Sequence, residues 1–194
     1  LAPQAVVDCF PKISPSLIQG NQEDAHEFLR GAIDAMQKSI PQNDPDRFQE
    51  YPFSLFAGGL QSCVRCTSCK KSSIRIDPIE DLQLNIDRTN TLEAALASLT
   101  RKESLTGDNA YECDHCKRKT DAFRSSSLSK IPPILSIQLK RFSFNRRRGT
   151  KITHFVQYPE ILDLSEFMQK EKGKGKKKHK PAIANLFAVV VHIG

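Results

Sequence analysis

Two Cys-x-x-Cys pairs hold the residues of this chain best suited to chemistry. Cys66 and Cys69 stand in Cys-Val-Arg-Cys-Thr-Ser-Cys-Lys, and Cys113 and Cys116 in Tyr-Glu-Cys-Asp-His-Cys-Lys. Each pair is a tight turn that aims two thiolates at one point, and two such turns supply the four soft, tetrahedral ligands that zinc prefers. Four sulfurs leave no open position for water, so such an ion is structural rather than hydrolytic. The 43 residues between the pairs (70–112) exceed the roughly 15–20 of a compact zinc ribbon. The spacing therefore predicts an ion that clamps the ends of two long hairpins. The competing readings are four unligated thiols or two disulfides, but nothing in the chain suggests secretion, and intracellular thiols stay reduced. Cys63, Cys66 and Cys69 repeat every three residues, so Cys63 with Cys66 is an alternative pairing. Cys66 with Cys69 is preferred, because the chain then leaves at Lys70 as it leaves at Lys117 after the other pair. His115 fits neither pair and is expected to be exposed.

The elements that must position these turns follow from periodicity. Ala25, Phe28, Leu29, Ala32, Ile33 and Met36 fall on one apolar stripe and predict a helix from Asn21 to about Ser39. Asn21 is the expected N-cap, with Glu23 and Asp24 at the positive end of the dipole. Asp24 and Glu27 are surface neighbours along the edge of the stripe, an acidic pair that could receive a basic partner or simply favour the helix start. Residues 1–20, with three prolines, predict one short helix and a loop. Ile74 and Ile76, and then Leu82, Leu84 and Ile86, alternate with polar residues and predict half-buried strands. Asn90 with Glu93 resembles a capping box opening a helix on Leu92, Ala95, Leu96 and Leu99. Further strands are expected over 120–128, 134–144, 150–158 and 186–193. The class is α+β and strand-dominated.

Composition bounds the rest. At 194 residues with 39% apolar content the chain is one large domain or a piece of one. No apolar run reaches the ~18 residues of a membrane span. The net charge is +7, but residues 170–180 carry seven Lys and one Glu, so six of those charges sit in one low-complexity insert. Such a run is a solvated surface insertion, able to attract nucleic acid nonspecifically or to act in nuclear targeting.

Four features in order resemble one family. Gly20-Asn21-Gln22-Glu23-Asp24-Ala25-His26-Glu27-Phe28 is similar to the Gln-Asp-Ala-Glu-Phe box of ubiquitin-specific proteases. The two knuckles look like that family's zinc-bearing fingers. Leu139-Lys140-Arg141-Phe142 resembles its Leu-Lys-Arg-Phe strand, and Val190-Val191-His192-Ile193-Gly194 the strand before its catalytic His box. The resemblance implies a papain-like cysteine protease fold shaped as a hand: part of a helical thumb over 1–45, zinc-tipped fingers over 46–130 and palm strands over 131–194, interrupted by the Lys-rich insert. It implies thiol-dependent hydrolysis of isopeptide bonds at the C-terminus of ubiquitin, with a His activating the Cys. It places Gln22, Asp24 and Glu27 against the basic tail of ubiquitin, where Arg side chains seek carboxylates, and Phe142 on the channel for that tail.

No catalytic residue carries over. The family's nucleophile lies in a Gly-x-Thr-Cys box, which Cys9 in Val-Val-Asp-Cys-Phe-Pro does not match. Its catalytic His lies in a Gly-His-Tyr box downstream of the last strand, and His192 precedes that box and is expected as a strand residue. The expectation is an internal piece of a catalytic domain, inactive alone, with ubiquitin and ubiquitinated proteins as partners and structural zinc as cofactor. The expected compartment is cytoplasm or nucleus, the wording of the acidic box leaning to nuclear and nucleolar members. The alternatives are a non-catalytic ubiquitin-binding scaffold and a zinc-ribbon module for nucleic acid. The last is weakened because the charge is concentrated in one run and lacks interleaved aromatics.

Overall fold

The structure is a computed structural model that describes residues 4–18, 20–40, 52–145, 148–169 and 181–191. The Lys-rich run and His192 lie outside the described residues. The chain divides into two compact units, Leu1–Phe56 with Ala188–Gly194, and Ala57–Phe187.

The first unit is built on the helix Ala25–Ser39. Its start corrects the sequence expectation. The N-cap is Asp24, not Asn21: the Asp24 carboxylate accepts the His26 backbone N–H at 2.8 Å, while the Asn21 N–H closes a turn on the Ile18 carbonyl. The carboxylate reaches one of the unpaired donors of the first turn, which the residue three places earlier cannot do. One short helix was expected upstream; two form, Gln4–Asp8 and Phe10–Ile13. Only part of the stripe packs against the second of these, since Ala25, Leu29 and Met36 stay exposed. Ile33 and Leu17 are buried, Phe28 stacks on Phe10 with ring centroids 5.7 Å apart, and Gly31 lets the helix approach the Ile13 carbonyl.

The second unit contains, in chain order, β1 (Gly58–Cys66), β2 (Ser72–Ile79), β3 (Asp81–Asn85), β4 (Glu103–Leu105), β5 (Tyr111–Cys113), β6 (Arg118–Thr120), β7 (Ala122–Lys130), β8 (Ser136–Lys140), β9 (Phe142–Asn145), β10 (Arg148–Lys151), β11 (Ile161–Asp163) and β12 (Ile183–Asn185). The largest sheet has the order β2-β1-β7-β4, and β3 pairs in parallel with β8. The core lies where the base of that sheet, the β3–β8 pair and the helix Leu92–Thr100 meet. Leu82, Leu84, Ile86, Leu96, Leu128 and Val156 are each at most 2% exposed. On β3 the alternation is as read, Leu82 and Leu84 inward and Gln83 and Asn85 outward.

Other expectations are corrected. The Leu92–Thr100 helix is capped by Thr91, whose Oγ1 accepts the Ala94 N–H at 3.1 Å; the Asn90 carbonyl instead accepts the Gln157 N–H. Ile74 and Ile76 are 52% and 57% exposed rather than half-buried. Alternation fixes which side chains share a face of a strand, not whether a second layer covers that face. The strand over 134–144 breaks at Arg141 into β8 and β9. The Arg141 guanidinium donates to the carbonyls of Ile152 at 3.3 Å and His154 at 2.9 Å. The strand over 150–158 ends at Lys151. Residues 186–191 form no strand, and Phe187 and Val190 are 77% and 81% exposed. An apolar run states a need for cover without supplying it.

Candidate metal centre

The first Cys pair closes the turn between β1 and β2, and the second closes the short β5–β6 hairpin. Both turns are made alike. Each is closed by a backbone bond at its first cysteine, the Cys66 N–H donating to the Lys71 carbonyl at 3.0 Å and the Cys113 carbonyl accepting the Lys117 N–H at 2.8 Å. The residue after each second cysteine sits in the left-handed region, Lys70 at φ 62° and Lys117 at φ 54°. A lysine there is strained by its Cβ, and the same strain at both sites marks one turn used twice.

The sheet brings the turns together. The β1–β7 ladder ends on Cys66 opposite Ala122, and only Asp121 separates β7 from β6. The backbone N–H and hydroxyl of Thr67 both donate to the Asp121 carbonyl, at 2.9 and 2.8 Å. Backbone pairing, rather than an ion alone, therefore spans the long sequence gap, and the second hairpin is short rather than long.

The Sγ atoms of Cys66, Cys69, Cys113 and Cys116 all lie within 4.8 Å of one another. Cys66 and Cys116 are 3.9 Å apart, and Cys69 and Cys113 are 3.7 Å apart. A tetrahedral ion with metal–sulfur bonds of about 2.3 Å requires sulfur–sulfur edges of about 3.8 Å, so the donor set fits zinc. Cys63 is outside the cluster. It stands an odd number of positions from Cys66 along β1, pairs with Ile74 and Ser125, and faces the other side of the sheet.

Electrostatics separate the sulfurs. The Thr120 hydroxyl, 3.2 Å from Cys66 Sγ, helps hold that thiol down to about 6, with the N–H groups of Cys69 and Ser68. Burial, reinforced by the neighbouring sulfurs, pushes Cys116 up to about 12. Four thiolates at this spacing repel one another, so full ionisation of the set needs a cation among them. His115 is exposed, its Nδ1 3.2 Å from the Lys71 ammonium.

The other sequence-derived candidates divide between the units. In the first, Gln22, Asp24 and Glu27 are exposed. Asp24 caps its helix, and Glu27 accepts the Ser16 hydroxyl at 2.5 Å, so two of the three are already oriented by their own unit. In the second, Phe142 is 58% exposed at the start of β9. Cys9 is exposed between the two short helices. Sequence reasoning missed Thr67, Thr120 and Asp121 around the cluster. A Thr four places after Cys116 carries no local signal; only the pairing of β5 with β6 turns it towards the first knuckle.

A family model described as ubiquitin carboxyl-terminal hydrolase matches residues 1–194. The chain belongs to the ubiquitin carboxyl-terminal hydrolase family. Among curated hydrolases of this family, it is 35% identical to human ubiquitin carboxyl-terminal hydrolase 42, over all of this chain and 14% of that protein. It is 34% identical to ubiquitin carboxyl-terminal hydrolase 25 of Arabidopsis thaliana, over all of this chain and 29% of that protein. The chain thus spans less than a third of either hydrolase. Among solved structures, the hydrolase fold here is similar to the SAGA Ubp8/Sgf11/Sus1/Sgf73 DUB module bound to ubiquitin aldehyde, with TM-score 0.79 and 29% identity over 95% of this chain and 44% of that one. A second structure of that module, bound to monoubiquitin, gives TM-score 0.76 and 30% identity over 85% of this chain and 38% of that one. The α+β architecture and the four-cysteine cluster are those of a ubiquitin-specific protease domain. Among the described residues no helix is long and apolar enough to cross a membrane.

Proposed function

We propose that this chain is the ubiquitin-gripping part of a thiol-dependent deubiquitinase that hydrolyses isopeptide bonds at the ubiquitin C-terminus. The observation that carries the reading is the set of four sulfurs within 4.8 Å of one another at the tip of the β2-β1-β7-β4 sheet, in a chain of this family. Two structural neighbours with ubiquitin or its aldehyde bound support the choice of partner. Cys66, Cys69, Cys113 and Cys116 hold a structural zinc. When bound, the ion supplies charge neutralisation and a rigid fingertip, and no Lewis-acid site for water. Gln22, Asp24 and Glu27 receive the basic tail of ubiquitin, and Phe142 lines its channel. Residues 1–45 serve as thumb, 46–130 as fingers and 131–194 as palm. The nucleophile and its His partner are not among these 194 residues, so the chain alone binds without cleaving.

Calorimetric titration of ubiquitin into the chain tests the grip: a saturable 1:1 complex is expected, and the absence of binding at millimolar ubiquitin refutes it. A fluorogenic ubiquitin amide tests the chemistry. No turnover by residues 1–194 is expected; turnover would overturn the assignment.

A further inference from the structure

Cys66 is the innermost ligand of the cluster, 1% exposed. A sulfur so placed has no water to solvate its negative charge, so protein donors must do it. Two come from its own turn, the N–H groups of Ser68 and Cys69. The third is the hydroxyl of Thr120, which belongs to the other knuckle: Thr120 pairs with Tyr111 in the β5–β6 hairpin and is itself only 6% exposed.

A hydroxyl carries one hydrogen, and Thr120 Oγ1 has two partners in reach. Cys66 Sγ lies at 3.2 Å and the Tyr111 carbonyl at 3.5 Å. The carbonyl distance is long for an O–H···O bond, whose ordinary range is about 2.5–3.0 Å, so the sulfur is the better acceptor whenever it is a thiolate. The buried hydroxyl therefore faces the sulfur across the two knuckles as its nearer partner, with the Tyr111 carbonyl farther off.

We infer that Thr120 is a positioning residue for the metal centre: its hydroxyl bonds the Cys66 thiolate across the two knuckles, fixing that ligand's orientation and its electron donation to the ion. This rests on the reading of the four sulfurs as a metal site. Hydrogen bonds to metal ligands typically alter affinity about 10- to 100-fold. A thiolate that accepts a hydrogen bond is also a poorer electron donor.

The test uses cobalt(II) as a spectroscopic stand-in for zinc on the 194-residue chain, with Thr120→Ser, Thr120→Val and Thr120→Ala. The Ser and Ala variants both lose the methyl group, and only Ser keeps the hydroxyl. Competition with a chelator should place Thr120→Ser within about threefold of wild type, and the Val and Ala variants about 10- to 100-fold weaker. Their sulfur-to-cobalt charge-transfer band should move to lower energy, while the band of Thr120→Ser stays in place. Wild-type affinity and an unmoved band in Val and Ala overturn the inference and leave the metal site standing. Equal weakening in Ser and Ala also overturns it, since packing of the methyl would then be the cause. A wild-type chain that takes up no cobalt and no zinc overturns the metal reading itself.

Discussion

Replacing Asp24 separates two tasks assigned to one carboxylate. Asp24 accepts the His26 N–H at 2.8 Å as the N-cap of the Ala25–Ser39 helix, and it is also proposed to meet the basic tail of ubiquitin. Asp24→Arg removes the cap, worth about 0.5–2 kcal/mol. It also exchanges a favourable for an unfavourable charge at the helix N-terminus, about 0.3–1 kcal/mol in each direction. The loss is then about 1–4 kcal/mol, or a fall in Tm of roughly 2–16 °C for a chain of this size. Asp24→Asn keeps the cap, since Asn caps as well as Asp, and forfeits only the dipole contribution, under about 1 kcal/mol. Towards ubiquitin the two variants behave differently from this stability order. Both lose a charge-assisted contact of about 1.5–3 kcal/mol, so Asn alone should weaken binding about 10- to 150-fold, and Arg further by repulsion. Paired thermal melts and ubiquitin titrations on the three proteins decide it. An Asn variant that binds ubiquitin with wild-type affinity removes Asp24 from the site. An Asn variant that melts as low as the Arg variant shows that the carboxylate does not cap the helix.

Chelation should lower the melting temperature and abolish amide-exchange protection around 111–120, since structural zinc contributes on the order of 10–16 kcal/mol of apparent binding energy in small sites. The β1–β7 ladder should stay protected, because backbone pairing and the Thr67–Asp121 bonds hold it independently; an unchanged melt after chelation argues against the clasp. Metal binding should release protons and weaken as pH falls. Cys116, pushed up to about 12, gives up a proton at any working pH. Cys66, held down to about 6, adds a further proton to those released by the other thiols only below that value, so the pH dependence of affinity, followed by chelator competition, should steepen below about pH 6. A slope that stays constant from pH 8 to pH 5 contradicts this separation. Leu96→Ala, at a side chain with no exposed surface in the core beneath β3 and β7, should cost about 2–5 kcal/mol in denaturant unfolding. A cost below about 1 kcal/mol would mean that this core is not packed as described.

What local bonding geometry dictates was legible in the sequence. A Cys-x-x-Cys pair that closes a turn brings both sulfurs to one side, as Cys66 with Cys69 and Cys113 with Cys116 do, whereas Cys63, at the same spacing from Cys66 but along a strand, faces away. A stripe every three to four residues can lie only along one face of a helix, and Leu82 and Leu84 can share only one face of a strand. These constraints act within a few residues of chain, so the sequence alone pointed to the two knuckles, to a helix ending near Ser39 and to the inward side of β3. Tertiary structure decided everything that depends on which distant segment arrives. It tied the Asn90 carbonyl to the distant Gln157 N–H, with Thr91 capping the helix instead. It broke the 134–144 run where Arg141 found the carbonyls of Ile152 and His154. It left Ile74, Ile76 and Val190 exposed although their pattern asked for cover. It also set Thr120 beside Cys66, 54 positions earlier. Burial and long-range hydrogen bonds need a partner that the local pattern does not encode, and that partner comes only from the fold.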